Sequence, residues 1–309
     1  MEAENQIAPE HFASDEFILK TGQAAIDFVN SSPVPNSGSL AEKAINLISV
    51  DPDHPYAKLL QYPQAGLYVA AEHLKLVASV RKTFSNQNPL LPPPMFAFYT
   101  LSRVAIESAA TIIWALSAEL ENDLLERSIA LGIDELSSFN TYMKKRHQVT
   151  CIGVGSTPDS SSPHTDESCN ESHEQMKLYE EKARAFAVQN SLRYTSLPNM
   201  TSSDPLQKGL LEQIMGKHLD VLYRQLSGTI HGSSWALQLN SKKTSTGSPT
   251  IGRPTVQAAH VIDEELTTLA LGVSARLLET ATLAYKSLFS DPGPPFSFPR
   301  ELLGIDLQK

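Results

Sequence analysis

Residues 95–117, MFAFYTLSRVAIESAATIIWALS, are the stretch of the sequence that decides the fold. Apolar residues fall on nearly every side of the helix that this stretch predicts. A helix without a polar face is usually buried among other helices. The proline-rich residues 86–94 stop the preceding helix and place a proline at the first turn of the new one. We therefore expect residues 95–117 to lie at the centre of the fold.

Patterns with a period of 3.6 residues also dominate the rest of the chain, and the alternation typical of strands is nearly absent. The sequence therefore predicts an all-α protein, an antiparallel helical bundle. Further helices are predicted at 39–50, 63–84, 119–147, 171–194, in a short segment after Pro205, and at 217–239 and 255–289.

The same patterns predict how the chain is organised. We expect residues 1–62 to form an N-terminal helical extension and residues 63–289 to form the bundle core. Residues 151–170, rich in Ser, Pro, Gly and Asp, are predicted to be a mobile loop within that core. Residues 240–254 are expected to form a loop or a small hairpin. Residues 290–309 are expected to form an irregular C-terminal tail.

Local signals mark where two of these helices begin or break. Ser39 and Glu42 have the spacing of a capping box, in which both side chains satisfy backbone N–H groups at the start of a helix. Gly132 lies inside the helix predicted at 119–147, and a break near it is an open alternative because glycine is a poor helix former.

The charge balance of the chain limits the classes of partner that it can be expected to bind. The chain has 309 residues, 34 of them acidic and 25 basic, for a net charge of −9. Broad binding to duplex nucleic acid normally needs a basic face, so this class of function is disfavoured. A small local phosphate site remains compatible with the composition.

The sequence also predicts a cytoplasmic protein that does not contact the membrane. Residues 1–12, MEAENQIAPEHF, have no apolar core of the kind found in secretory signals. The most apolar stretch, residues 112–116, is far too short to span a bilayer. Cys151 and Cys169 are the only cysteines and fit free thiols in a reducing compartment, although the sequence leaves open whether they ever pair.

Residues 223–235, YRQLSGTIHGSSW, place an arginine and a histidine on the same side of a predicted helix. At 100° per residue, Arg224 and His231 lie within about 20° of each other. We call the surface formed with their neighbours the Arg–His stripe, which comprises Arg224, Ser227, Gly228, His231 and Trp235.

The apolar side of the same helix lies opposite the stripe. Leu222, Leu226, Thr229, Ile230 and Leu237 cluster there and should face the bundle core. The Arg–His stripe should therefore face solvent, a partner helix or a second subunit. Glycine costs a helix about 1 kcal/mol relative to alanine, which suggests that something approaches closely at Gly228.

Arg103 and Glu107 stand four residues apart on the central helix and can pair along it. Two interpretations stay open. The two residues can form a satisfied buried ion pair, because burying an unpaired charge is costly. Alternatively, they can help to build a binding site.

An arginine followed by four to six residues and a histidine near the end of a bundle helix resembles the signature of the HEPN superfamily. Arg224 and His231, with six residues between them, match the long end of that pattern. The order Tyr, Leu-Ser, His-Gly also resembles a group of uncharacterised bacterial helical proteins. Those proteins carry an Arg-x-x-x-Glu helix upstream, matched here by Arg103 and Glu107. The resemblance covers about residues 63–289.

The resemblance implies a helical bundle that is, in many members, a metal-independent ribonuclease of toxin–antitoxin, abortive-infection or antiviral systems. It implies that His231 would act as the general acid or base and that Arg224 would hold the scissile phosphate. The 2′-hydroxyl of the RNA would attack, so no metal or other cofactor is implied. It further implies a homodimer with the cleft between its subunits, and an antitoxin or other defence protein as partner.

One residue departs from this pattern. Gln225 stands where the ribonucleases of the superfamily usually have Asn, Asp or His. The sequence therefore leaves open whether the chain is an enzyme. The alternative is a non-catalytic helical protein whose Arg–His stripe binds a partner or a second copy of the chain.

Overall fold

The computed structural model describes residues 13–87, 95–118, 120–152, 163–201, 209–215, 217–230 and 264–290. Within these ranges every regular element is a helix, and the helices pack against one another in a bundle, so the predicted all-α class is confirmed. The described helices are α1 (Asp15–Asn30), α2 (Leu40–Val50), α3 (Tyr56–Gln87), α4 (Met95–Leu116), α5 (Glu121–Ile152), α6 (Pro163–Gln189), α7 (Leu210–Met215), α8 (Lys217–Ile230) and α9 (Glu264–Ser290).

The central helix of the bundle is α4, as the sequence predicts. It packs against α3, α5, α7, α8 and α9. Its inner residues are at most 1% exposed and include Ala105, Ile106, Ala109 and Ile113. Burying a side chain the size of isoleucine contributes about 1.5–3 kcal/mol, so α4 supplies a large part of the hydrophobic stabilisation.

Helix α1 was not among the predicted helices, although its sequence carries a start signal. Ser14 accepts a hydrogen bond from the backbone N–H of Phe17 at 3.2 Å, which caps the first turn. Ile18, Ala25 and Val29 form its buried side and belong to the same hydrophobic core as α3 and α9. The first helix is thereby packed against the last described one.

Ser39 caps α2, as the capping-box spacing predicts. Its hydroxyl accepts a hydrogen bond from the Glu42 N–H at 3.2 Å. The Glu42 carboxylate accepts from the N–H of Gly38 at 2.6 Å, one residue earlier than in the usual box. Gly38 has a positive φ of 81°, a conformation that glycine adopts without strain.

Helix α3 begins at Tyr56 rather than at the predicted Pro63. Pro55 directly precedes the helix, and Pro63 is buried within it. The predicted start at Pro63 is therefore wrong, because the helix already begins directly after Pro55, a residue type that suits a helix start. The division of the chain into an extension, a bundle core and a tail stays a prediction.

The connection between α5 and α6 is shorter than predicted. Helix α5 continues without a break through Gly132 to Ile152, and α6 begins at Pro163. The predicted mobile loop is therefore wrong at 151–152 and 163–170, while 153–162 lie outside the described residues. Ser, Pro and Asp favour helix starts as well as loops, so composition alone could not separate the two.

Gly132 has a packing role in place of the suspected break. A Cβ atom at this position would overlap the phenol oxygen and Cε1 of Tyr179 on α6. Glycine therefore allows α6 to lie close against α5.

Several predictions fall outside the described residues, namely the hairpin or loop at 240–254, the tail beyond Ser290, and the continuation of the 217–239 helix past Ile230. The side chains of Cys151 and Cys169 also lie outside the described part, so their pairing stays open. Among the helices that the structure describes, none combines the length and apolar character needed to cross a membrane.

Candidate functional site

Helix α8 carries the first half of the Arg–His stripe and packs against α4 and α7. Its predicted core side is confirmed at Leu222, Leu226 and Thr229, which are 3% exposed or less. Ile230 is half-buried at the end of the helix. The strong separation of apolar and polar residues around α8 fixes its rotation against the bundle.

Arg224 lies on the accessible side of α8. Its side chain is 42% exposed, and its Nε donates a hydrogen bond to Asp220 Oδ2 at 2.7 Å. Asp220 stands one turn earlier on the same helix and is largely buried. The carboxylate therefore helps to set the orientation of the guanidinium. Asp220 is not among the predicted site residues, although an Asp-x-x-x-Arg spacing on a helix is a recognisable signal.

The other members of the stripe have different surroundings. Ser227 is half-buried and Gly228 is buried. The side of α8 that carries the stripe is therefore covered at Gly228 and accessible at Arg224. His231 and Trp235 lie outside the described residues, so their geometry relative to Arg224 stays a prediction.

Arg103 and Glu107 form the predicted pair on α4. Arg103 Nε donates to Glu107 Oε1 at 2.9 Å, and both side chains are partly buried. Tyr223 of α8 joins them, since its phenol donates a hydrogen bond to the same Glu107 oxygen. Arg103 Nε also lies 3.1 Å from the Tyr223 oxygen, and its guanidinium carbon is 5.1 Å from the centre of the tyrosine ring. We call Arg103, Glu107 and Tyr223 the α4–α8 triad.

The surroundings of Tyr223 in the triad favour its protonated form. Burial and the hydrogen bond to Glu107 raise the pKa of Tyr223 to about 12. The phenol therefore remains a donor to the carboxylate throughout the physiological range. The two side chains are paired as the first interpretation has it, although they are partly exposed rather than buried, and Tyr223 is an additional partner.

The triad and Arg224 occupy different sides of α8. Consecutive residues on a helix point about 100° apart, so Tyr223 reaches α4 while Arg224 points around the helix. The triad thus fixes the position and rotation of the helix that carries Arg224. The structure joins Arg103 to Glu107 and Tyr223 by hydrogen bonds, and it joins Arg224 to Asp220 in the same way.

In the described part of the chain, no group of three or more His, Cys, Asp or Glu side chains is arranged to hold a metal ion. Comparisons with protein families, with curated proteins and with solved structures find no match to this chain. The fold and the site geometry place this chain in the class of all-helical bundle proteins.

Proposed function

We propose that the chain is a HEPN-like, metal-independent ribonuclease in which Arg224 binds the scissile phosphate and His231 transfers the proton. The observation that supports this proposal is the Asp220–Arg224 pair. A guanidinium oriented by a carboxylate loses less conformational freedom when it binds a phosphate. It also remains 42% exposed, so a ligand can reach it.

The proposed reaction uses groups of the RNA and of two histidines. One His231 removes the proton from a 2′-hydroxyl, whose oxygen attacks the adjacent phosphorus. The bond from phosphorus to the 5′-oxygen breaks, and the His231 of a second copy of the chain protonates that leaving oxygen. Arg224 stabilises the charge that grows on the phosphate oxygens. The products are a 2′,3′-cyclic phosphate and a 5′-hydroxyl.

The proposed substrate is single-stranded RNA held at few phosphates. A chain with a net charge of −9 repels extended nucleic acid, and Asp220 offsets part of the charge of Arg224. Few phosphate contacts release few counterions, so we expect a shallow salt dependence of binding. An antitoxin or other defence protein is the proposed regulatory partner.

The second candidate function is self-association without catalysis, with α8 as the contact. The observation that favours it is Val221, whose side chain is 61% exposed one turn before Arg224. An exposed valine beside an arginine that is paired with a carboxylate has the mixed character of a protein interface.

One set of variants separates the two functions. Wild type, His231→Ala and Arg224→Ala are purified and incubated with end-labelled single-stranded RNA in the presence of a chelator. His73→Ala, which removes a histidine from α3, is the control. We expect cleavage by the wild type and by His73→Ala, and a loss of about 10²–10⁴-fold in His231→Ala.

The solution mass of the same proteins completes the test. A wild-type protein that does not cleave RNA, or an equally active His231→Ala variant, overturns the ribonuclease proposal. Loss of a dimer in Arg224→Ala or Val221→Ser, with no cleavage by the wild type, supports self-association instead.

A further inference from the structure

Helix α6 is attached to the bundle through a small apolar contact. Among the described helices it packs broadly only against α5. The apolar side chains that its described part buries are Tyr179, Ala183 and Ala187, which follow one another at intervals of one turn. Two of the three are alanines, so α6 removes far less apolar area from water than the central helix α4 does. Hydrophobic burial therefore holds α6 in place only weakly.

The contact between α6 and α5 also contains a polar group without a partner. The Tyr179 ring lies so close to Gly132 that a Cβ atom there would overlap it. The phenol oxygen is buried and has no hydrogen-bond partner in the part of the chain that the structure describes. Burying a polar group without a partner costs free energy, and water would satisfy this oxygen if the contact opened. The Tyr179 phenol therefore favours the separation of α6 from α5.

A charged contact holds α6 to the connection between α2 and α3. Lys182 Nζ donates hydrogen bonds to Asp51 Oδ1 at 3.0 Å and to Asp53 Oδ2 at 2.6 Å. We call Lys182, Asp51 and Asp53 the α6 clasp. Phe186 of α6 adds an edge contact to the ring of His54 on the same connection. The three side chains of the clasp are each at least 36% exposed, so salt can weaken their attraction.

The chain directly after α6 combines a strained residue with a firmly held one. Ser191 has a positive φ of 55°, a conformation that residues with a side chain adopt only at a cost. The backbone N–H and the Nε of Arg193 donate to the Glu126 carboxylate of α5 at 2.8 Å and 2.7 Å. Further along, the Asn199 carbonyl accepts a backbone hydrogen bond from the first residue of α7. Residues 190–192 therefore lie between a weakly held helix and a firmly held segment.

We propose that α6 is a strap, which the α6 clasp closes and which opens about residues 190–192 while the rest of the described bundle stays folded. Segments with little buried apolar area and with exposed charged contacts are those that open locally before the whole protein unfolds. Opening uncovers Gly132 and the ring of His54, a surface that the closed form hides. The proposal is independent of the ribonuclease function, because it uses none of the residues of the Arg–His stripe.

Hydrogen exchange of the full chain, followed by mass spectrometry at neutral pH, tests the proposal. The amides of residues 176–189 should be at least about tenfold less protected than those of α4, because the strap opens without global unfolding. Raising NaCl from about 0.05 M to about 0.5 M should lower the protection of residues 176–189 further and leave α4 unchanged, since salt screens the clasp. Equal protection of the two regions overturns the proposal, and so does a strap that does not respond to salt.

Two matched variants test the role of the clasp. Lys182→Gln removes the ammonium of the clasp and should lower the protection of residues 176–189 at least about threefold, with α4 unaffected. Lys177→Gln is the control, because Lys177 pairs at 3.1 Å with Glu174 of the same helix and its loss should leave the attachment of α6 unchanged. Equal effects of the two variants overturn the proposal, as does an equal loss of protection in α4. If Lys182→Gln fails to fold, the salt response of the wild type decides.

Discussion

Tyr223 of α8 donates its phenolic hydrogen to Glu107 of α4, across 116 residues of sequence. The acceptor oxygen is the same one that receives the Arg103 Nε–H. One carboxylate oxygen thereby joins the central helix of the bundle to the helix that carries Arg224. The candidate site is thus supported by a polar contact between helices as well as by the apolar side of α8.

Replacing Tyr223 by Phe should lower the free energy of unfolding by about 1–3 kcal/mol, because the partly buried Glu107 loses a hydrogen-bond donor. Tyr285→Phe is the matched control, since Tyr285 donates at 3.1 Å to the uncharged carbonyl of Leu60. We expect a smaller loss there, about 0.5–1.5 kcal/mol. Urea denaturation measures both. Equal losses would show that the charge of Glu107 adds nothing to the contact.

Replacing Gly132 by Ala should destabilise the protein by about 1–3 kcal/mol, since the new methyl group overlaps the ring of Tyr179. This result would run against helix propensity, which favours alanine. Gly66→Ala on α3 is the control, because a Cβ there lies 3.0 Å from the flexible end of Ile112. We expect that variant to stay within about 1 kcal/mol of the wild type. A stabilised Gly132→Ala protein would contradict the close packing of α5 and α6.

The stability should also depend on pH through His54, which stacks on Tyr56 and contacts the edge of Phe186. Burial lowers the pKa of His54, with Asp51 opposing and Lys43 adding to the effect. Its Nδ1 accepts the Tyr56 N–H at 3.3 Å, a bond that the protonated ring cannot accept. The unfolded chain therefore binds the proton more readily, so stability is full above pH 6.5 and falls as the pH is lowered below it.

Denaturant titrations between pH 8 and pH 5 check this prediction. The His54→Gln variant should lose stability less steeply than the wild type below pH 6.5. Between pH 7.5 and pH 8 the difference between the two proteins should be constant, since His54 is neutral there. Parallel curves over the whole range would contradict it.

The sequence was sufficient for features that depend on residues close along the chain. The bounds of α4 follow from a continuous apolar stretch that begins directly after a proline-rich segment, and the Arg103–Glu107 pair follows from a spacing of four. Ser39 could be identified as a cap for the same reason. Each of these features is decided within one or two turns of helix.

The features that were missed depend on contacts between distant segments. Tyr223 could be identified only as part of a sequence motif, because no neighbouring residue indicates that its side chain reaches Glu107. The glycine at position 132 suggested a break in the helix. Its packing partner, Tyr179, lies on another helix and cannot be recognised from the neighbouring sequence. Helix α1 was not predicted, and its buried side, formed by Ile18, Ala25 and Val29, is defined by packing against the distant helices α3 and α9.

The packing of α9 against α1 has a consequence for how the protein is made. Residues 15–30 leave the ribosome before the helix that packs against them, residues 264–290, has been synthesised. Domains fold as units once their contacts are available. Until then the nascent chain carries uncovered apolar sides on α1, α3 and α4, the kind of surface that chaperones bind. Closure of the bundle therefore has to wait for the synthesis of α9, which joins the first and last described helices.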